Sequence, residues 1–197
     1  MKIIFLGFLV LVSISVFYLD DNILSYAEEK GIVIKDEMFI IDEYASGFHL
    51  PVMIDFIGDH VLVAEKNGNV RIIKDGVLVT EPVLQLEVST TMEEGLVGIL
   101  VKNNDVFIHH TTHDLKDGST SNWFTKYQYD GIILHEPVEL LSFHNGMGWH
   151  NSGIMIEDKN GIVYGAIGDS GNEAGLFQNV PSGPDNNTGS IISLEDT

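Results

Sequence analysis

Hydrophobic and polar positions in this chain alternate over short runs, and Gly, Asn and Asp cut the runs at close intervals. Alternation with period two puts one set of side chains on each face of an extended strand, so the pattern predicts strands joined by tight turns. Phe56–Glu65 (FIGDHVLVAE) reads as a strand, a turn at Gly58-Asp59 and a second strand. Asn69–Lys74 (NVRIIK) and Val77–Thr80 (VLVT) flank Asp75-Gly76, the strongest kind of short hairpin cue. Helical periodicity is hard to find anywhere after Ala27. The expected fold class is all-β.

The spacing of the strand pairs says more than the pairs themselves. MIDFIGDHVLVAE starts at Met53, GILVKNNDVFIHHTT at Gly98 and GIMIEDKNGIVYGAIGD at Gly153, offsets of 45 and 55 residues. Each is an apolar strand, a polar turn and a second apolar strand. Further strands follow each pair: NVRIIKDGVLVT, NWFTKYQYDGIILHEPVELL and TGSIISLEDT. A repeat of about 40–50 residues with four strands per unit points to the blades of a β-propeller. A β-sandwich of irregular hairpins is the alternative. Propellers typically need about four to eight blades to close. The sequence carries about three, so it is expected to be the N-terminal part of a longer propeller.

The first 27 residues follow a different logic. Behind Lys2, an almost unbroken apolar run extends from Ile3 to Tyr18, and Ser25-Tyr26-Ala27 places small residues at a suitable cleavage site. Residues 1–27 are therefore expected to be a signal peptide or, failing cleavage, an N-terminal membrane anchor, with residues 28–197 exported. Composition narrows the partners. The formal net charge is −19 with only 10 Lys and Arg, which disfavours nucleic acid and anionic membrane surfaces. A hydrophobic content of 44% excludes a disordered acidic tail. The absence of cysteine excludes disulfides and thiolate chemistry. Carboxylates in such number could also hold a hard cation such as Ca²⁺.

Candidate chemistry concentrates in WHNSGIMIEDKNGIVYGAIGDSGN, Trp149–Asn172. Two antiparallel strands joined by a turn at Asp158–Gly161 have their open ends together, so His150 before the first and Asp169 after the second fall at one rim. A carboxylate beside an imidazole fixes its tautomer and raises its basicity, as a proton-abstracting base requires. EEGLVGI, Glu93–Ile99, places a glycine-rich turn before the preceding unit. His109, His110 and His113 follow one another closely, but His109 and His110 fall on opposite faces of a strand and suit a shared metal poorly. Asn186-Asn187-Thr188 is a formal glycosylation sequon, and residues 175–187 read as a long rim loop.

These motifs, in this order, resemble the soluble quinoprotein glucose/sorbosone (aldose sugar) dehydrogenase family. LVAEKNGNVRII is similar to that family's opening blade, EEGLVGI to its (E/Q)-x-G-L-x-G turn, and His150 to Asp169 to its H-x-(S/G)-G and G-D-x-G pair. The resemblance spans roughly Phe48 to Asp196. It implies a six-bladed propeller that binds pyrroloquinoline quinone (PQQ) and Ca²⁺ and oxidises a sugar or related alcohol, passing electrons to an acceptor. By the same resemblance His150 is the general base, Asp169 orients it, and Glu93 lies near cofactor and substrate. The chain departs from the pattern in places: Ile154 and Met155 stand where relatives carry Arg, and no H-R-N-x-x-G segment is present. The calcium ligands are expected outside this chain. A non-catalytic propeller that binds a ligand or protein on its rim is the alternative reading, because one fold hosts many functions.

Overall fold

The computed structural model describes residues 41–145, 148–169 and 188–194. The proposed signal peptide or anchor, residues 1–27, lies outside the described residues, as do the 175–187 loop and Asn186 and Asn187 of the sequon. The described residues from Ala45 onward form one packing unit.

Every regular element in the described residues is a β-strand, and the strands form three antiparallel sheets in chain order. The first holds β1 (Pro51–Ile57), β2 (His60–Glu65), β3 (Asn69–Lys74) and β4 (Val77–Leu78), with β5 (Leu84–Gln85) also pairing with β3. The second holds β6 (Leu96–Lys102), β7 (Asp105–His113), β8 (Thr120–Tyr129) and β9 (Leu134–Asn145). In the third, β10 (Ser152–Glu157) and β11 (Val163–Ile167) are joined by β12 (Ser190–Ser193). The predicted hairpins at Gly58-Asp59 and Asp75-Gly76 are present, and Asp75 adopts the positive φ of 51° that such a turn demands.

The sheets are blades. β6 packs between β1 and β10, so the first strands of the three sheets stand side by side and the others extend outward. Alternation decides what fills the seams. Leu62, Ala64, Val70 and Ile72 of the first blade meet Leu96, Ile99, Val106 and Ile108 of the second. The opposite face of the second blade sends Leu100, Phe107, Phe124 and Phe143 against Met155, Val163 and Ile167 of the third. Each such side chain taken out of water contributes roughly 1.5–3 kcal/mol. The result is an arc of a β-propeller. The described sheets do not close into a ring, and its two outer faces carry exposed apolar residues: Val52, Ile54 and Phe56 on β1, and Ile154, Ile156 and Ile191 on β10 and β12.

Two details differ from the sequence reading. The first blade's outer strand is only two residues long, and β5 supplements it where Val83 and Leu86 hydrogen-bond back to Val70 and Gly68. The inner strands also begin before Met53, Gly98 and Gly153, and each has a β-bulge at its start: Pro51/Met53, Leu96/Gly98 and Ser152/Met155. A bulge bends the strand and re-aims the residues before it. All three bulges lie at the same rim, the one that carries the open ends of the inner hairpins.

His109 and His110 do not face a common site. His109 sits in the second seam, with its ring 4.6 Å from that of Phe124 and stacked at 6.2 Å on Phe143. Both of its ring nitrogens lack a hydrogen-bond partner. Burial, helped by the neighbouring His110, holds the His109 imidazole down at about 3, and burial holds His110 at about 4. Both folded values lie below the ordinary 6.5, so the unfolded chain takes up protons that the folded chain refuses. The stability these neutral rings allow is therefore complete above pH 6.5 and falls as pH drops below it, down to about pH 4–3. At pH 5 each ring is expected to cost about 2 kcal/mol relative to pH 8. Urea denaturation of His109→Leu across pH 8 to 5 should show roughly half the acid loss of the unsubstituted protein.

Candidate active site

The rim between the second and third blades brings together three stretches the sequence singled out. The turn after Met92 carries Glu93 and Glu94 into β6, the loop 148–151 leads into β10, and Asp169 follows β11. The first turn grips the second. The Glu93 amide donates to the Gly148 carbonyl (3.0 Å), and the Glu93 carboxylate accepts the His150 amide through Oε2 (2.6 Å). Glu94 faces inward and is buried. The Ser89 hydroxyl donates to its Oε2 and the Thr120 hydroxyl to its Oε1 (2.9 Å), so a buried carboxylate pins the floor of the site to the segment after β5 and to the start of β8. Lys66, just after β2, donates through Nζ to the carbonyls of Met92 (2.6 Å) and Thr90 (3.4 Å). The first blade thereby braces the same turn.

Gripped in this way, the loop adopts a backbone that free peptides avoid. His150 has φ 56° and Ser152 φ 64°, both in the left-handed region and neither a glycine. Conformations of this kind cost of order 1–3 kcal/mol each and persist where surrounding contacts over-determine them. The consequence is a pairing. His150 Nδ1 lies 2.7 Å from Asp169 Oδ1. A carboxylate can only accept, so Nδ1 of the neutral imidazole carries the proton and Nε2 keeps its lone pair. The His150 side chain is 64% exposed while that of Asp169 is 26% exposed, so the imidazole is the more open member of the pair.

The pairing depends on Gly168. A Cβ built there would lie 1.6 Å from the His150 carbonyl oxygen, so only glycine lets the end of β11 approach the His150 backbone. Gly98 serves the same purpose on β6, where an added Cβ would lie 2.0 Å from the Gly153 carbonyl. The sequence marks these glycines as motif positions. The structure shows that they are the points where backbones touch.

Of the three residues predicted to act, His150 and Asp169 are brought together as an imidazole–carboxylate pair, and the Glu93 carboxylate holds the His150 amide. Sequence reasoning missed Glu94 and Lys66. The signal for Glu94 was a second acidic residue beside the turn at a position that alternation turns inward. Lys66 gave none, since its role rests on a contact across 26 residues.

A protein-family model described as Glucose / Sorbosone dehydrogenase matches residues 48–197. The chain belongs to that family. No match was found among curated protein sequences. Solved structures show the same fold. One is an oxidoreductase described as a glucose dehydrogenase from Thermus thermophilus, with TM-score 0.63 and 21% identity over 78% of this chain and 46% of that one. Another is the soluble aldose sugar dehydrogenase of Escherichia coli in its apo form, with TM-score 0.62 and 14% identity over 74% of this chain and 44% of that one. A third is the PQQ-bound aldose sugar dehydrogenase of Streptomyces coelicolor, with TM-score 0.57 and 21% identity over 78% and 46%. This chain therefore spans slightly under half the length of the structures it matches.

The glucose/sorbosone dehydrogenase motifs acquire a physical meaning here, and Gly168 tests it. Gly168→Ala should drive the Trp149–Ser152 backbone away from β11 and break the His150–Asp169 pair, at a stability cost of about 2 kcal/mol. Gly58→Ala, at an open turn with nothing within 4 Å of the added methyl, is the control and should cost less. Thermal unfolding of the two variants compares them directly.

Proposed function

We propose that this chain supplies the proton-abstracting half of a PQQ-dependent sugar dehydrogenase site. The single observation that carries the reading is the 2.7 Å His150–Asp169 pair, held at an exposed propeller rim by Glu93. In this reading Asp169 keeps the proton on Nδ1, and Nε2 removes the proton from a sugar hydroxyl. Loss of that proton makes the attached C–H a hydride donor, and the electron pair leaves with the hydride. PQQ, when bound, supplies the two-electron sink that receives it.

The residues present fit the reacting edge of such a cofactor better than its carboxylates. His150 would supply a base to such a cofactor's substrate, and Lys66, whose Nζ already donates to the Met92 and Thr90 carbonyls, would add positive charge near the Glu93 turn. The one arginine of the sequence, Arg71, is engaged elsewhere, with the Val79 and Thr80 carbonyls and with Glu65 at 3.7 Å. Further cations for the cofactor's carboxylates would come from outside the described residues. Among the described residues no group of three or more His, Asp or Glu could hold a metal.

Two observations support placing this arc in a larger ring. Its outer faces expose Val52, Ile54 and Phe56 on one side and Ile154, Ile156 and Ile191 on the other, the residues that alternation aims at neighbouring blades. The matched structures are also about twice as long. The apolar run behind Lys2 supports export of the whole. A non-catalytic rim-binding propeller would use the same fold, but it gives no reason to hold an exposed imidazole in one tautomer.

The test is sugar-dependent reduction of an electron-accepting dye by the PQQ-supplied full-length polypeptide, with aldoses and simple alcohols as substrates. His150→Gln should lower kcat by about 10²–10⁴-fold. Equal turnover in the two proteins would remove His150 from the reaction.

A further inference from the structure

One buried polar chain crosses the seam to the His150 loop, and the roles described so far do not use it. Asn151 stands between the two left-handed residues His150 and Ser152, and its side chain is 1% exposed. Its Nδ2 donates to the Gly148 carbonyl (3.1 Å), and its Oδ1 accepts from Nδ2 of Asn122 (3.2 Å). Asn122 lies on β8 in the second blade and is fully buried. Its own Oδ1 accepts from the hydroxyl of Thr111 on β7 (2.7 Å), which is fully buried as well.

The direction of every bond in this relay is set. The Gly148 carbonyl can only accept, so Asn151 turns Nδ2 to it and Oδ1 toward Asn122. Asn122 must then donate through Nδ2, which leaves its Oδ1 to accept from the Thr111 hydroxyl. Alternation along β8 puts Asn122 on the same face as Phe124, whose ring packs in the apolar second seam. An apolar side chain of similar size would fill that position. Apolar packing is nearly isotropic, however, and would tolerate several arrangements of the loop, whereas a satisfied chain of hydrogen bonds admits one.

The His150 backbone is thus restrained from two sides. Glu93 takes its amide, and Asn122 holds the residue that follows it. Building on the reading of His150 as the base, we propose that Asn122, acting through Asn151, is a positioning residue that holds the imidazole against Asp169 and so keeps Nε2 free of its proton. Asn122 touches neither the imidazole nor the rim. Its effect passes through the loop backbone.

Ring ¹⁵N shifts of histidine-labelled protein, with the His150 signals assigned by their absence in His150→Gln, report the tautomer without any cofactor. The unsubstituted protein should show a single Nδ1–H form. Asn122→Leu and Thr111→Val should each give a mixture in which Nε2–H is populated, while Thr111→Ser, which keeps the hydroxyl, should keep the single form. With PQQ supplied to the full-length protein, Asn122→Leu should also lower kcat by about tenfold or more with KM changed less than about twofold. A folded Asn122→Leu protein that retains the single Nδ1–H form overturns the proposal. If that variant does not fold, retention of the single form in Thr111→Val overturns it equally. A mixed tautomer in the variants together with no sugar-dependent turnover in the unsubstituted protein would uphold the positioning role and refute the dehydrogenase reading.

Discussion

The arrangement depends on how closely two inner strands approach. Gly98 of β6 and the Gly153 carbonyl of β10 are so near that a single added methyl carbon would lie 2.0 Å from the oxygen. That approach brings the second and third blades together at the rim and lets a turn on one reach a loop on the other. Farther out the blades are held by the non-directional burial of Leu100, Phe107 and Phe124 against Met155 and Val163. At the rim, directional bonds take over from packing. The His150–Asp169 pair is borne on the third blade, yet the groups that set it come largely from the second.

This division of labour explains why the loop can keep an unfavourable backbone. Left-handed φ at His150 and Ser152 would relax in an isolated hairpin. Here the Glu93 carboxylate, the buried Glu94 beneath Gly148 and the Asn151 side chain each remove a direction in which it could relax. The geometry of the His150–Asp169 pair is therefore a property of the seam. The same seam carries a weakness, since His109 is buried there with both ring nitrogens unpartnered and must stay neutral for the blades to remain packed.

Much of this was legible in the sequence because it follows from local periodicity. Alternation located the hairpins of all three blades, the Asp75-Gly76 turn and the shared rim of His150 and Asp169, since strand direction alone places open ends together. What was not legible depends on contacts between distant residues. The inward turn of Glu94, the reach of Lys66 to Met92 and the Thr111–Asn122–Asn151 chain all need the blades to be stacked first. Asn122 left only a faint mark, an amide two residues before Phe124 on the same strand face. The bulges that open each inner strand were hidden as well, because a bulge shifts register without changing composition.

The central claim is that the second blade holds His150 on the third, and hydrogen exchange at the His150 amide tests it most directly. That amide donates to the Glu93 carboxylate at 2.6 Å on an otherwise exposed residue, so its protection reports the cross-blade bond itself. The His150 amide should exchange slowly in the unsubstituted protein and about ten- to a hundredfold faster in Glu93→Ala, with the amides of Ile99 and Val101 unchanged. Unchanged exchange at His150 in a folded Glu93→Ala protein would contradict the account.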